Sequence, residues 1–412
     1  VSQLNASGTG PKAYLQHEHS SHTFGIRIPH LAFQWLVGGV SVLPMQRFFG
    51  ISGLPKSFKS TLNMEVGNWF MQDRGIHFAI DNEGKTSATM MEAMTRMSPV
   101  EGLRTSRVFK PTTSIEEWQG YILDVVSKTK PLARYGKGQR VPIYISIDSL
   151  NGSSAESSQE KLFKEGSAEE RGFPVDAALI TKFFRALNLA NTTISVGYVQ
   201  HLVQDISANP RYGGPQMKEA GAVMAAYKCS AHIRVTKGKP IRIADEDAIA
   251  QIGRVKEVPV EGYELKLDAH KSCYGPDGRS IIVPIRWQYV ESEGPSGKVE
   301  RHQVMWYDWD AALSIILAGV LKAEAGTRLS NLNSWSSFDK SRLKSILDFD
   351  APNETSVSCK SLGMDRVSHT EFGRAIRSTP ELSEKIAEFL NISLDHQSIQ
   401  DVDQEMITSE EE

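Results

Sequence analysis

Short runs of β-branched and aromatic residues alternate along the chain with longer stretches in which apolar positions recur every three or four residues. The clearest runs are Arg47 to Ile51 (RFFGI), Ile76 to Ile80 (IHFAI), Val141 to Ile147 (VPIYISI), Thr193 to Val199 (TISVGYV) and Ala231 to Val235 (AHIRV). Between them, Ser60 to Met71 and Val175 to Leu189 carry helical spacing. Strands separated by helices in this order predict an α/β domain over residues 24–323 with a mostly parallel, twisted sheet flanked by helices. After the fifth run, the turn sequences GPDG (275–278) and GPSG (294–297) predict antiparallel strands appended to that sheet. Trp309 to Ala323 reads as a helix. Residues 324–400 read as a small, mostly helical C-terminal domain, in which Thr379-Pro380-Glu381 opens the amphipathic stretch ELSEKIAEFL. No repeat of 20 to 50 residues is visible.

The 412 residues are 40% apolar and 23% charged, which excludes a disordered or fibrous chain and suits two or three domains. The longest nearly unbroken apolar run, Ala311 to Leu321, is about half of the roughly 20 residues a membrane span needs, so no membrane helix is expected. The first residues hold no apolar segment of the signal-peptide kind. Three scattered cysteines, Cys229, Cys273 and Cys359, match neither a disulfide framework nor a zinc pattern. Together these features predict a cytoplasmic protein. Residues 1–23 are polar and read as a flexible arm or one that orders against a partner; His17, His19 and His22 in it have no acid-backed scaffold around them and read as part of a solvated arm, not a metal site. Residues 401–412 carry six acids and no base, so a net charge of −3 for the whole leaves +3 on the rest. That acidic tail is either a solvated terminus or a competitor for an anionic ligand of the basic body.

The strongest chemical signal is GLPKSFKST, residues 53–61, set between the run RFFGI and a helix. A triphosphate needs inward backbone N–H groups, a helix N-terminus, a lysine for the β- and γ-phosphates and a hydroxyl for Mg²⁺. Gly53, Leu54, Pro55, Lys56, Ser57, Phe58, Lys59, Ser60 and Thr61 can supply these parts, Lys59 and Ser60 as the lysine and the hydroxyl. Phe58 departs from the usual pattern, because it stands where a second glycine is normal and must adopt the loop's backbone without glycine's freedom. The run VPIYISI leads into Asp148, where an acid can hold the Mg²⁺ shell together with Ser60. IHFAI leads into Asp81 and Glu83, and a carboxylate at that sheet edge can orient an attacking water.

With these residues in place the chain resembles the bacterial RecA recombinases, most closely their phage-encoded UvsX-like branch. KSFKS, residues 56–60, matches that branch's variant loop, and the lead-in GIRIPHLAFQWLVGGVSVLPMQRFFGISG (25–53) is similar to the family's own. The likeness runs in order to about residue 290 and implies a RecA-like P-loop ATPase core. It puts Glu83 at the family's catalytic glutamate and Asp148 at its Walker B acid. Gln200 in ISVGYVQH falls at the glutamine that senses the γ-phosphate. The resemblance also implies DNA-binding loops at about 164–173 and 201–221, with Arg171, Arg211, Gly213, Gly214 and Lys218 as contacts. Lys271 matches one of two lysines that reach a neighbouring subunit's ATP, the other being Ala269 here. The family's adenine-stacking tyrosine has no counterpart in GKTSATMMEAMTRMSP (84–99), so base recognition must differ.

The resemblance implies an ATP- and Mg²⁺-dependent recombinase that forms a helical homo-oligomeric filament on single-stranded DNA and pairs it with homologous duplex DNA. A loader and a single-strand-binding protein are the expected helpers, and a host bacterial cytoplasm the expected setting. Two other readings stay open: a RecA-like ATPase without strand exchange, of the helicase or clock-motor kind, and a structural nucleotide-binding filament protein.

Overall fold

The computed structural model describes residues 25–44, 47–84, 107–129, 141–157, 159, 172–190, 194–204, 217–219, 225, 228–242, 259–275, 277–293, 299–321, 335, 337–351 and 356–392. In chain order its elements are β1 (Gly25–Arg27), α1 (Leu31–Leu36), β2 (Val42–Pro44), β3 (Phe48–Gly53), α2 (Lys59–Gln72), β4 (Ile76–Asp81), β5 (Arg107–Pro111), α3 (Ile115–Thr129), β6 (Ile143–Asp148), α4 (Gly172–Ala190), β7 (Ile194–Gln204), β8 (Met217–Glu219) and β9 (Ala231–Arg242). There follow β10 (Val260–Ser272), β11 (Ser280–Glu293), β12 (Val299–Tyr307), α5 (Trp309–Leu321), α6 (Ser337–Ile346), β13 (Phe349–Asp350), β14 (Ser356–Cys359), β15 (Met364–Ser368), α7 (His369–Arg377) and α8 (Pro380–Phe389).

The large sheet has the order β12-β11-β10-β9-β3-β7-β6-β4-β5, with β8 added to β7. It is parallel from β9 to β5 and antiparallel from β9 out to β12. All five strands expected from the hydrophobic runs are present, and the two expected hairpins extend the sheet as antiparallel strands. The side-chain alternation of a strand decides which layer each residue joins. On β6, Ile143, Ile145 and Ile147 pack with Trp118 and Ile122 of α3 and Phe184 of α4. Tyr144, between them, points to the opposite face and stacks on Phe70 of α2, ring centres 4.7 Å apart.

That opposite face holds the larger apolar cluster, which joins α1, α2, α5 and the C-terminal elements without a break: Phe33, Leu62, Trp69 and Leu317 belong to it together with Leu343, Phe372 and Ile386. Every residue of α2 except Ser60 and Gln72 is buried, so this helix has no solvent stripe and its polar residues must find partners inside. Asn63 accepts from the Tyr144 hydroxyl at 2.5 Å. A Cβ at residue 197 would lie 1.7 Å from that hydroxyl, which is why β7 carries Gly197 there. Glu65 accepts the Trp309 indole N–H at 2.5 Å and stands 3.9 Å from His30 Nε2. Burial pushes the Glu65 carboxyl well above its ordinary range, whereas burial pushes the His30 imidazole down to about 3. Both shifts favour the uncharged forms, so burial works against an ion pair at this contact.

The structure also departs from the sequence pattern. β7 continues to Gln204 and β9 to Arg242, well beyond the expected ends at Val199 and Val235, because β8 and β10 supply pairing partners that TKGKPIR does not advertise. The C-terminal region holds a three-stranded antiparallel sheet, β13-β14-β15, beside its helices. Its helix α7 starts in a capping box in which Ser368 and Glu371 satisfy each other's backbone N–H groups. The N-terminal arm and the acidic tail lie outside the described residues. No helix among the described residues is long and apolar enough to cross a membrane.

Candidate functional site

β3 delivers the loop 54–58 to the C-terminal edge of the sheet, between β7 and β9. Gly53 pairs with His201 on one side and Val235 on the other. A Cβ at residue 53 would lie 2.4 Å from the Val235 carbonyl oxygen and 2.6 Å from Ser57 Oγ, so the loop can leave the strand only at a glycine. Inside the loop, the Ser57 hydroxyl donates to the Leu54 carbonyl at 2.8 Å. Lys59 is only 4% exposed and donates from Nζ to the same carbonyl at 2.7 Å. Leu54, Pro55 and Lys56 form its exposed rim.

Phe58 takes the left-handed conformation, φ +64°, and so does Lys56, φ +61°. The residue that stands in place of glycine thus adopts glycine's conformation, at a cost of about 1 kcal/mol or more. Distant residues offset it. The Tyr307 hydroxyl donates to the Phe58 carbonyl at 3.1 Å, and the Phe58 ring lies 5.8 Å from that of Tyr263. Phe58 is the N-cap of α2 and offers no side-chain hydrogen bond to the first turn. This leaves a helix N-terminus without a side-chain cap, pointing at the loop, with Ser60 and Thr61 in its first turn.

The acids arrive from β4 and β6, whose ends are in register at Asp81 and Asp148. Asp148 is pushed up to about 6 by burial, against a lowering hydrogen bond from Ser60, with Glu83 and Asp81 raising it further and Lys59 lowering it. The peptide bond from Asp148 to Ser149 is cis. Asp81 accepts the backbone N–H groups of Glu83 (3.0 Å) and Gly84 (2.9 Å), which folds the turn that presents Glu83. Asn82 donates to the Ser149 carbonyl at 2.9 Å and accepts the Thr112 hydroxyl, tying that turn to β6. Glu83 Oε1 receives two hydrogen bonds, from Ser149 Oγ at 2.6 Å and from His201 Nε2 at 2.7 Å. Because a carboxylate can only accept, Nε2 is the donor in this bond, and among the described residues the buried Nδ1 has no hydrogen-bond partner.

Lys59, Ser60, Asp148 and Glu83 therefore converge on one sheet edge. Gln200 is fully buried beside Ser52, and its neighbour on β7, His201, hydrogen-bonds Glu83. Lys218 is exposed on β8 opposite Val203, two residues beyond His201 on the same strand. Lys271 is not part of this group: it pairs with His232, level with Gly50, three strand residues or about 10 Å below the loop. Arg171, Arg211, Gly213 and Gly214 lie outside the described residues, as does most of both expected DNA loops. Among the described residues no group of three or more His, Cys, Asp or Glu is placed to hold a metal ion. His201, Ser149 and Tyr307 carry no motif that singles them out; only the position of His201 directly after Gln200 hints at it.

The site offers an ammonium, an uncapped helix end, a hydroxyl–carboxylate pair and a second carboxylate. That set can hold an anionic group with its counter-ion and take a proton from a water beside it. No protein-family model matches the chain, and no curated protein matches it.

Proposed function

We propose that the chain is an ATP-dependent recombinase of the RecA kind: a DNA-dependent ATPase that assembles as a filament on single-stranded DNA and pairs it with a homologous duplex. The observation that carries this reading is the convergence of Lys59, the Ser60–Asp148 pair and Glu83 around the uncapped start of α2. Lys59 would turn from the Leu54 carbonyl to the β- and γ-phosphates of ATP. Ser60 and Asp148 offer oxygen donors alone, which suits Mg²⁺, an ion that takes few protein ligands and fills its shell with phosphate and water. The metal would neutralise charge as the terminal phosphoryl group leaves. Glu83 would accept a proton from the water whose oxygen attacks the γ-phosphorus as the bond to the β–γ bridging oxygen breaks, giving ADP and phosphate. Gln200 and His201 sit on the strand that leads to Lys218, a path by which phosphate occupancy can reach the DNA-binding segments.

ATP hydrolysis measured with and without single-stranded DNA across a salt series, on the parent and on Glu83→Gln, tests this. Stimulation by DNA that falls with salt and is lost in the variant is expected. A rate indifferent to DNA would move the protein to the ATPases without strand exchange. The two hydrogen bonds that hold Glu83 Oε1 favour a second reading, a filament protein that binds nucleotide with little turnover, and tight ATP binding without hydrolysis would select it.

A further inference from the structure

The two flanks of loop 54–58 differ in chemistry. On the β7-β6-β4 side stand Asp148 and Glu83. On the β9-β10 side stand a lysine and two aromatic rings. Lys237 lies two residues beyond Val235, the partner of Gly53, and its Nζ sits 3.5 Å from the centre of the Tyr263 ring and 5.5 Å from that of Phe58. The side chain is exposed, and among the described residues these rings are its contacts, with no carboxylate paired to it. Beyond Tyr263, the same sheet face continues through Ile285 to Trp287, which is 38% exposed.

We propose that the nucleobase end of a bound nucleoside triphosphate stacks on Tyr263, displacing the Lys237 ammonium from the ring to the α- or β-phosphate. This rests on reading loop 54–58 as a phosphate site. An elongated ligand whose terminal phosphate meets Glu83 and Asp148 must send its other end across the loop toward β9 and β10, and there Tyr263 and Phe58 present the aromatic surface. A flat base can replace a singly held ammonium on a ring face, because stacking gains contact area that a point charge does not. The freed ammonium then gains a phosphate anion as its partner. The sequence lacks the family's stacking tyrosine after Glu83, so a ring supplied from β10 would fill that role by different means.

Calorimetric titration of the full chain with Mg·ATP and with Mg·tripolyphosphate, which has no base, tests the assignment. Tyr263→Leu should weaken ATP binding roughly tenfold and leave tripolyphosphate binding unchanged, and Tyr263→Phe should restore ATP affinity. Lys237→Met should weaken both ligands. Equal losses for the two ligands in Tyr263→Leu, or no loss for ATP, would overturn the base platform while leaving the phosphate site standing. A parent chain that binds neither ligand would overturn the phosphate site itself, and Lys59→Ala separates the cases because it should lose both. A melting curve for each variant confirms that the chain still folds.

Discussion

His201 Nε2 lies 2.7 Å from Glu83 Oε1, and Ser149 Oγ holds the same oxygen from the other side. In this arrangement two protein donors share one oxygen of the carboxylate and restrain it. His201→Ala should therefore raise ATP turnover without DNA, by roughly one to two orders of magnitude at most, since a hydrogen bond to a charged group contributes about 1.5–3 kcal/mol. His201→Gln, which can also donate, should stay near the parental rate. A fall in turnover in His201→Ala would mean that the imidazole aims Glu83 instead of restraining it.

The Asp148 carboxyl makes a stability prediction. Its folded-state value, about 6, is raised above the ordinary 3.8, chiefly by burial. A raised value means the folded state binds the proton more tightly, so this group favours folding most at low pH and loses that contribution as pH rises from about 4 through 6. Asp148→Asn removes the charge at all pH values and should stabilise the nucleotide-free protein above pH 6, by about 3 kcal/mol at most. The same change should abolish hydrolysis. Urea melts of parent and variant at pH 4.5 and 7.5 read the difference, and equal gains at both pH values would contradict the assignment.

Glu65 behaves in the same direction for a structural reason. Burial lifts its carboxyl well above the usual range, so stability is lost as pH rises toward that raised value. Glu65→Gln keeps an oxygen to accept from Trp309 and has no proton to lose. The variant should match the parent near pH 4.5 and exceed it increasingly at alkaline pH. His30 acts with the opposite sign: with its value lowered to about 3, it contributes stability above about 6.5 that fades as pH falls. Thermal unfolding from pH 4 to 9 would show both limbs, and an unaltered alkaline limb in Glu65→Gln would refute the explanation.

Tyr307→Phe removes the hydroxyl that holds the left-handed Phe58 carbonyl and should cost about 1 kcal/mol. Phe58 would then be supported at that atom by the longer Leu62 N–H contact, 3.3 Å. ATP affinity should fall together with melting temperature, because the loop's shape and its stability depend on the same bond. Unchanged affinity in a destabilised variant would show that the loop holds its conformation without Tyr307.

The parallel strands are legible in the sequence because runs such as YISI and SVGYV are buried on both sides and need no context to be read. β5 is only five residues and half exposed, so its pattern is weak. The second half of β9 is a lysine-, glycine- and proline-rich stretch that becomes a strand because β10 pairs with it. The residues of the loop can be named from GLPKSFKST, but what lets Phe58 stand there is a tyrosine 249 positions away. In the same way, the pairing of β7 with β3 puts Gln200 beside Ser52 and leaves His201 to meet Glu83. A linear pattern cannot tell these neighbours apart.

The Tyr307–Trp309 segment also fixes how the molecule comes apart. Asp308 accepts the Thr370 hydroxyl at 2.6 Å, and Arg377 grips Asp310 with two bonds of 2.8 and 2.9 Å, so α7 holds both residues that flank Trp309. Trp309 in turn reaches Glu65 in α2, and Tyr307 reaches the start of that helix. An early stop between α5 and α6 would remove α7 and with it this clasp, and the damage would surface at the loop that begins α2.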